Sequence, residues 1–312
     1  MLRLKTPLLT VCSLTLLFAF GVTLEAQKKV DKVKKVYTGA PVMWHAPDDI
    51  ESRNLLLGAG GDAMKPDLSR VTFIEQKTEG WSTKYRVRDA KGHEWMAKLS
   101  KEAQPESAAN RLLWAIGYET EISYLVPELE IQGKGRFKNV RLEARPQDVK
   151  RTGMWLWTDN PFVGKPEFQG LKIMMTFINN WDMKDDNNQI LAVKGATDSE
   201  RRFIVSDLGA TFGKTGGVFS RSRNKPSDYA KSEFVKAVNG NMLDLNYGGK
   251  NQNIFDGITV QDAKWLATWL DRLSDEQIKD AFRAANYSAA DVDLLAGAVR
   301  KRIDDLKKIA GS

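Results

Sequence analysis

The 312-residue sequence predicts an α+β chain of two lobes, a small antiparallel-sheet N-lobe followed by a mostly helical C-lobe. Three observations predict it. Short β-branched or aromatic runs punctuated by glycine crowd residues 71–98, and apolar residues at helical spacing behind capping signals fill residues 259–306. The 42% hydrophobic content is enough to bury a substantial core, and two lobes of one unit fit the length better than three small domains. There is no internal repeat and no low-complexity tract.

The elements follow in order. Arg3 and Lys5 precede an apolar stretch over 7–24, and Glu25-Ala26-Gln27 follows, so residues 1–26 read as a signal peptide or a membrane anchor. Cys12, the single cysteine, lies inside that stretch, so a processed chain carries no disulfide. Residues 27–65 read as a basic leader and linker. Lys28, Lys29, Lys32, Lys34 and Lys35 supply most of the net charge of +7, which suits contact with a membrane surface and leaves the remainder near neutral, so nucleic acid is not expected as a partner. Export to the periplasm or medium is expected. The alternative is an uncut anchor with the domain in the cytosol, because the lysines outnumber the basic residues that precede the apolar stretch.

Residues 66–148 form the expected N-lobe. Val71-Thr-Phe-Ile-Glu-Gln, Thr83-Lys-Tyr-Arg-Val-Arg and Glu94-Trp-Met-Ala-Lys-Leu are three strands, with hairpin turns at Glu79-Gly80 and Lys91-Gly92. Strand alternation puts Met96 and Lys98 on one face. A helix follows: Pro105 suits its first position, Ala108, Leu112, Leu113 and Ile116 recur at helical spacing, and Gly117 stops it. Gly58-Ala-Gly-Gly61 precedes the first strand and reads as a loop.

Residues 149–312 form the expected C-lobe. An apolar helix over 172–179 leads into a polar loop, and the runs 189–193 and 202–206 form a hairpin. Residues 213–232 read as a loop rich in Gly, Ser, Lys and Arg, with Phe219 as its apolar anchor; Ser220 or Ser222 could accept substrate or phosphate there, and a merely solvated loop is the other reading. Capping signals at Thr259, Ser274 and Ser288 start three closing helices, with Trp265 and Trp269 in their core.

The chemistry concentrates in the polar loop and the strand after it. Asp182-x-Lys184-x-x-Asn187, and then Asp207-Leu208-Gly209 at the end of an apolar run, supply the parts that phosphoryl transfer asks for. Asp182 suits the base that orients and deprotonates a hydroxyl. Lys184 suits the neutralisation of charge on the transferred group, and Asn187 with Asp207 suits a pair of hard oxygen ligands for Mg2+. A calcium loop fits poorly, because Lys184 takes a ligand position and Asn187 stands where the turn glycine belongs. His45 and His93 are too far apart to suggest zinc or a histidine-dependent hydrolase.

With these motifs the chain resembles the protein-kinase-like superfamily, and Asn180-x-Asp182-x-Lys184-x-x-Asn187 resembles its HipA-like and lipid-kinase-like branches most. Asn180 replaces the histidine of His-Arg-Asp, Leu208 replaces the phenylalanine of Asp-Phe-Gly, and no Ala-Pro-Glu follows. The resemblance implies a bilobal protein-kinase-like fold with ATP and Mg2+ as cofactors. It makes Lys98, in Trp-Met-Ala-Lys, the counterpart of the lysine that grips the phosphates. Glu106 then becomes its partner, with Glu102 as the alternative, Met96 the roof over the adenine, and Gly80 the one glycine of the phosphate-covering loop. An exposed strand lysine is the other reading of Lys98, and a helix-dipole acid that of Glu106. Two functions follow: an ATP- and Mg-dependent phosphotransferase acting on a protein, lipid or small-molecule hydroxyl, or an exported pseudokinase serving as a binding or scaffold module.

Overall fold

The computed structural model describes residues 39–77, 83–193 and 200–311. Five antiparallel strands form the sheet lobe in the order β2-β3-β4-β6-β5. These are β2 (Thr72–Lys77), β3 (Lys84–Arg88), β4 (Glu94–Lys98), β5 (Ser123–Ile131) and β6 (Gly135–Ala144). Helix α1 (Ala103–Ala115) lies between β4 and β5 in the chain. Because side chains alternate across a strand, Val87, Trp95, Ala97 and Leu142 bury one face of this sheet, where Tyr124 and Val126 join them. The opposite face carries Arg86, Met96, Lys98, Arg141 and Glu143, aligned by the register that sets Met96 against Glu143 and Lys98 against Arg141. The α+β, two-lobe architecture expected from the sequence is the one found.

The second lobe is built on helix α2 (Pro166–Phe177), which starts at a proline and is buried along most of its length. A four-stranded sheet of order β1-β9-β8-β7 lies in it, formed by β1 (Pro41–Val42), β7 (Val149–Gly153), β8 (Asn188–Val193) and β9 (Arg201–Val205). Then come α3 (Pro226–Lys231), the hairpin of β10 (Val235–Asn239) and β11 (Met242–Leu245), and helices α4 (Val260–Leu270), α5 (Asp275–Arg283) and α6 (Ala289–Gly311). The capping signals act as expected. Thr259 with Asp262 and Ser274 with Gln277 form reciprocal boxes, and Ser288 caps Asp291.

The described part of the expected linker is instead structural. Pro41 and Val42 pair in parallel with Arg201 and Arg202, and Trp44 meets Trp265 and Trp269 edge-on at 5.0 Å each. Met43, Ile50 and Leu55 join the helical core, and Gln277 donates to the Ile50 carbonyl at 2.7 Å. Apolar Met43, Ile50 and Leu55, spaced five to seven apart, show no helical or strand period, which is why they read as a linker. Residues 1–38, with the apolar stretch and the lysine cluster, lie outside the described residues. Among the described residues no helix is long and apolar enough to cross a membrane.

One buried cation ties the last helix to the loop after α2. The Arg302 guanidinium donates to the carbonyls of Phe177 at 2.5 Å and Ser232 at 2.8 Å and to Asn179 Oδ1 at 3.1 Å, and it lies 4.1 Å over the Tyr229 ring. Its N–H groups meet carbonyl oxygens and the Ser232 hydroxyl and, among the described residues, form no ion pair with a carboxylate, so it mainly fastens backbone.

Gly117 ends α1 with φ of 97°, and a Cβ there would sit 2.2 Å from the His45 carbonyl oxygen. Gly92 has φ of 88° in a hairpin turn and open space around it. Gly92→Ala should therefore cost only the left-handed backbone strain, about 1–3 kcal/mol. Gly117→Ala should cost about 1–3 kcal/mol more from overlap. Urea unfolding of the two variants checks the difference.

Candidate active site

Lys98 ends β4 with its side chain largely buried among carboxylates. Its Nζ lies 2.7 Å from Glu106 Oε1 and 3.5 Å from Glu143 Oε2. Arg141, directly across the sheet, reaches Glu106 at 3.2 Å and Glu143 at 2.6 Å. Two like charges opposite each other would repel, and the glutamates between them make the pairing possible. Arg145 pairs with Glu143, while Arg151 reaches Glu143 at 2.6 Å and also pairs with Glu121. Glu102 does not join this cluster; it pairs with Arg223.

The cluster is buried, and that decides its protonation. Burial works against the Lys98 ammonium, but Glu106 and Glu143 outweigh it, so its pKa is raised and it stays charged. For Glu106, burial outweighs Arg141 and Lys98, and the carboxyl is raised. Burial also opposes ionisation of Glu143, yet Arg145, Lys98 and Arg141 hold its carboxyl well below the usual range. Glu121 is pushed up to about 7 by burial and by the charge of Glu143.

The other wall is the loop after α2. Asn180 stands where the resemblance expects histidine, and its Oδ1 accepts the Asp182 N–H at 3.2 Å. Asn187 Nδ2 donates to the Asp182 carbonyl at 2.6 Å, which leaves its own amide oxygen free to meet a cation. Backbone hydrogen bonds sew this loop to the following strand end, from Ser206 N–H to Asn187 O at 2.8 Å and from Trp181 N–H to Ala210 O at 3.3 Å. Asp207 lies between those stitches. One of its oxygens accepts the Gly209 N–H at 3.2 Å, and it forms no ion pair among the described residues. Leu208 is buried in the core, and a Cβ on Gly209 would overlap the Glu102 side chain at 2.6 Å, so the glycine lets this turn approach α1.

Asp182 is held by two lysines, one per oxygen. Lys184 Nζ is 3.2 Å from Oδ2 and Lys250 Nζ is 2.6 Å from Oδ1. Burial alone would raise this carboxyl, but the Lys250 hydrogen bond and the Lys184 charge prevail, and its pKa lies below the ordinary aspartate value.

A cavity of about 420 Å³ opens between the sheet lobe and the β8–β9 hairpin. Met96, Ile122, Ala144 and Leu191 give it apolar walls, and Arg86 and Arg151 stand at its side. Of the described site residues expected from the sequence, Met96 alone lines it.

The structure thus places Met96, Lys98 and Glu106 on one wall and Asp182, Lys184, Asn187 and Asp207 on the other. The two walls meet where the Asp207-Leu208-Gly209 turn packs on Glu102 at the start of α1 and where Arg223 pairs with Glu102. Gly80 lies outside the described residues. Phe219 is no anchor, since its ring is fully exposed. Part of the expected loop 213–232 is helix α3, and the segment is held by its buried Tyr229, by Trp181 Nε1–H donating to Ser222 O at 3.0 Å, and by Arg223 on Glu102. Sequence reasoning missed Glu121, Arg141, Glu143 and Lys250. The alternation Val140-Arg141-Leu142-Glu143 was a signal for the middle pair; Lys250 has none.

No protein-family model matches the chain, and no curated protein matches it. Among solved structures, the crystal structure of a Helicobacter pylori proinflammatory kinase, CtkA, is similar to it with a TM-score of 0.49 and 10% identity, over 77% of this chain and 96% of that one.

The raised Glu121 carboxyl makes stability pH-dependent with a definite sign. Between about 4.5 and about 7 the folded chain keeps a proton that the unfolded chain has released, so this group's contribution is full below 4.5 and is lost as pH rises through 7. Glu121→Gln should flatten the melting temperature across that window. Thermal melts of both proteins from pH 4.5 to 7.5 check it.

Proposed function

We propose that the chain is a phosphotransferase that moves the γ-phosphoryl group of ATP to a substrate hydroxyl. The observation that carries the proposal is the buried Lys98–Glu106 pair at 2.7 Å, facing a loop and strand end that hold Asp182, Asn187 and Asp207 together. An exposed strand lysine would not be drawn into a buried carboxylate cluster. Lys98, kept charged by Glu106 and Glu143, would hold phosphate oxygens, and the apolar walls at Met96 and Leu191 would take the base.

Asn187 and Asp207 fit a hard divalent cation, since each retains an oxygen without a cationic partner and Mg2+ commonly takes only one or two protein oxygens. When bound, Mg2+ would offset charge on the phosphates. Asp182 orients the acceptor hydroxyl and takes its proton as the hydroxyl oxygen bonds the γ-phosphorus. The bond from that phosphorus to the bridging oxygen breaks, and ADP leaves with the electron pair. Lys184 balances charge on the group in transit.

A second reading, a binding or scaffold module of kinase shape, is favoured by one observation. Both carboxylate oxygens of Asp182 are occupied by lysines.

Mutation separates the two readings. Asp182→Ala should lower turnover about 10²–10⁴-fold with little change in ATP affinity, because a base acts in the transition state. Asp207→Asn should abolish magnesium-dependent nucleotide binding while leaving the melting temperature of the metal-free protein nearly unchanged. Lys98→Ala should weaken nucleotide binding, with Arg141 still compensating Glu106. Calorimetric binding of Mg-ATP and mass-spectrometric inspection of the nucleotide products check all three. Binding of Mg-ATP by the unaltered chain without turnover would favour the binding module.

The proposal extends to location: residues 1–26 direct export. A phosphatase fused after Gly39 should be active outside the cytosol, with the mature chain beginning near Gln27. An inactive but well-expressed fusion with an intact amino terminus in membranes would place the domain in the cytosol.

A further inference from the structure

The two oxygens of Asp182 face different surroundings. Oδ2 is turned toward Lys184 and toward Asn187, whose Nδ2 is 3.4 Å away, and so toward the strand end that carries Asp207. Oδ1 is turned the other way, onto Lys250 at 2.6 Å. Lys250 arrives from a loop beyond β11 that is docked on the Asp182 loop at several points. Its N–H donates to Trp181 O at 3.0 Å, its carbonyl accepts the Tyr247 hydroxyl at 2.9 Å, and Asn251 Nδ2 donates to Met183 O at 2.6 Å. A Cβ at residue 249 would stand 2.5 Å from Trp181 O, so Gly249 is what lets the loop come this close.

A second cation stands beside it. The Arg221 guanidinium lies 4.1 Å from the centre of the Trp181 ring, and among the described residues it meets no carboxylate. Trp181, whose ring lies beneath Arg221, directly precedes Asp182 and accepts the Lys250 N–H on its carbonyl, so both cations meet the chain at one residue. Arg223, 5.7 Å from the same ring, is already neutralised by Glu102. The Oδ1 side of Asp182 therefore presents Lys250 and Arg221 against a carboxylate that Lys184 also balances, and the local excess is positive. Both lysines are about two-fifths exposed, so a solute can reach them.

We propose that Lys250 and Arg221 form an anion-binding site on the Oδ1 side of Asp182, and that the acceptor is a hydroxyl compound carrying a phosphate monoester near that hydroxyl. Naming the ligand as the acceptor rests on the phosphotransferase reading; the anion site itself does not. A phosphate group competes with Asp182 for Lys250, because it offers more charge and more acceptor oxygens than the carboxylate. Its arrival draws the Lys250 ammonium off Oδ1 and frees that oxygen for the hydroxyl that comes with it. The doubly occupied Asp182 is then the resting state of the site.

Trp181 reports on the site, since its ring lies under Arg221. The full chain labelled with ¹⁵N at its indoles would be titrated with sn-glycerol 3-phosphate, inorganic phosphate and glycerol, with no nucleotide present. Both phosphates should move the Trp181 indole signal saturably, and glycerol should not. Lys250→Met and Arg221→Gln should each weaken binding about tenfold, Lys250→Arg should restore most of it, and Lys264→Met, on a distant helix, should leave it unchanged. Melting curves of each variant separate lost binding from lost folding. Absence of a saturable shift, or equal affinities in the folded Lys250→Met and Arg221→Gln proteins, would overturn the site. Binding of inorganic phosphate without glycerol 3-phosphate would overturn the acceptor assignment. Failure of ATP turnover would leave these titrations unaltered, so the two ideas stand or fall separately.

Discussion

The charge cluster beneath the sheet is the constraint on which the rest of the arrangement depends. Four cations, Lys98, Arg141, Arg145 and Arg151, share three glutamates, Glu106, Glu121 and Glu143, with the contacts chained through Glu143. Taking such groups out of water is costly, and the cost is offset only when every partner is in place. The members come from β4, α1, β5's approach, β6 and β7, so the cluster fixes how the helix lies on the sheet and where the chain leaves it. An apolar contact could slide by a rotamer; a buried ion pair cannot.

Residues that act through near neighbours were legible in the sequence. The three strands, α1 with its glycine stop, the β8–β9 hairpin and the caps at Thr259, Ser274 and Ser288 all depend on spacings of a few residues. The loop of Asp182, Lys184 and Asn187 was legible for the same reason. Strands β5 and β6 were not drawn, although Gly133 and Gly135 mark their turn. Nothing in the local pattern marks their polar positions as buried, whereas Arg141 and Glu143 are buried against other charges. Lys250 and Arg302 were invisible on different grounds. Each works across a long interval of chain, Lys250 on Asp182 and Arg302 on Phe177 and Asn179, and no local pattern records such a meeting.

The two walls of the cleft are held by unlike means. The sheet wall is rigid through charge, while the Asp182 loop is rigid through backbone, stitched to the strand end at Asn187 and Trp181 and pinned from below by Arg302. Acid or salt would therefore disturb the walls unequally. Glu121 changes charge in the neutral range, and its proton belongs to the sheet wall alone.

The parallel pairing of Pro41 and Val42 with Arg201 and Arg202 closes the helical lobe with the beginning of the domain. Strand β1 cannot complete its pairing until Arg202, 160 residues beyond Val42, has been synthesised. Until then Met43, Ile50 and Leu55 have no complete core to enter. Sequence-distant contacts of this kind slow folding and leave apolar surface uncovered for longer. A nascent chain with that topology cannot complete its helical lobe until β9 has been made.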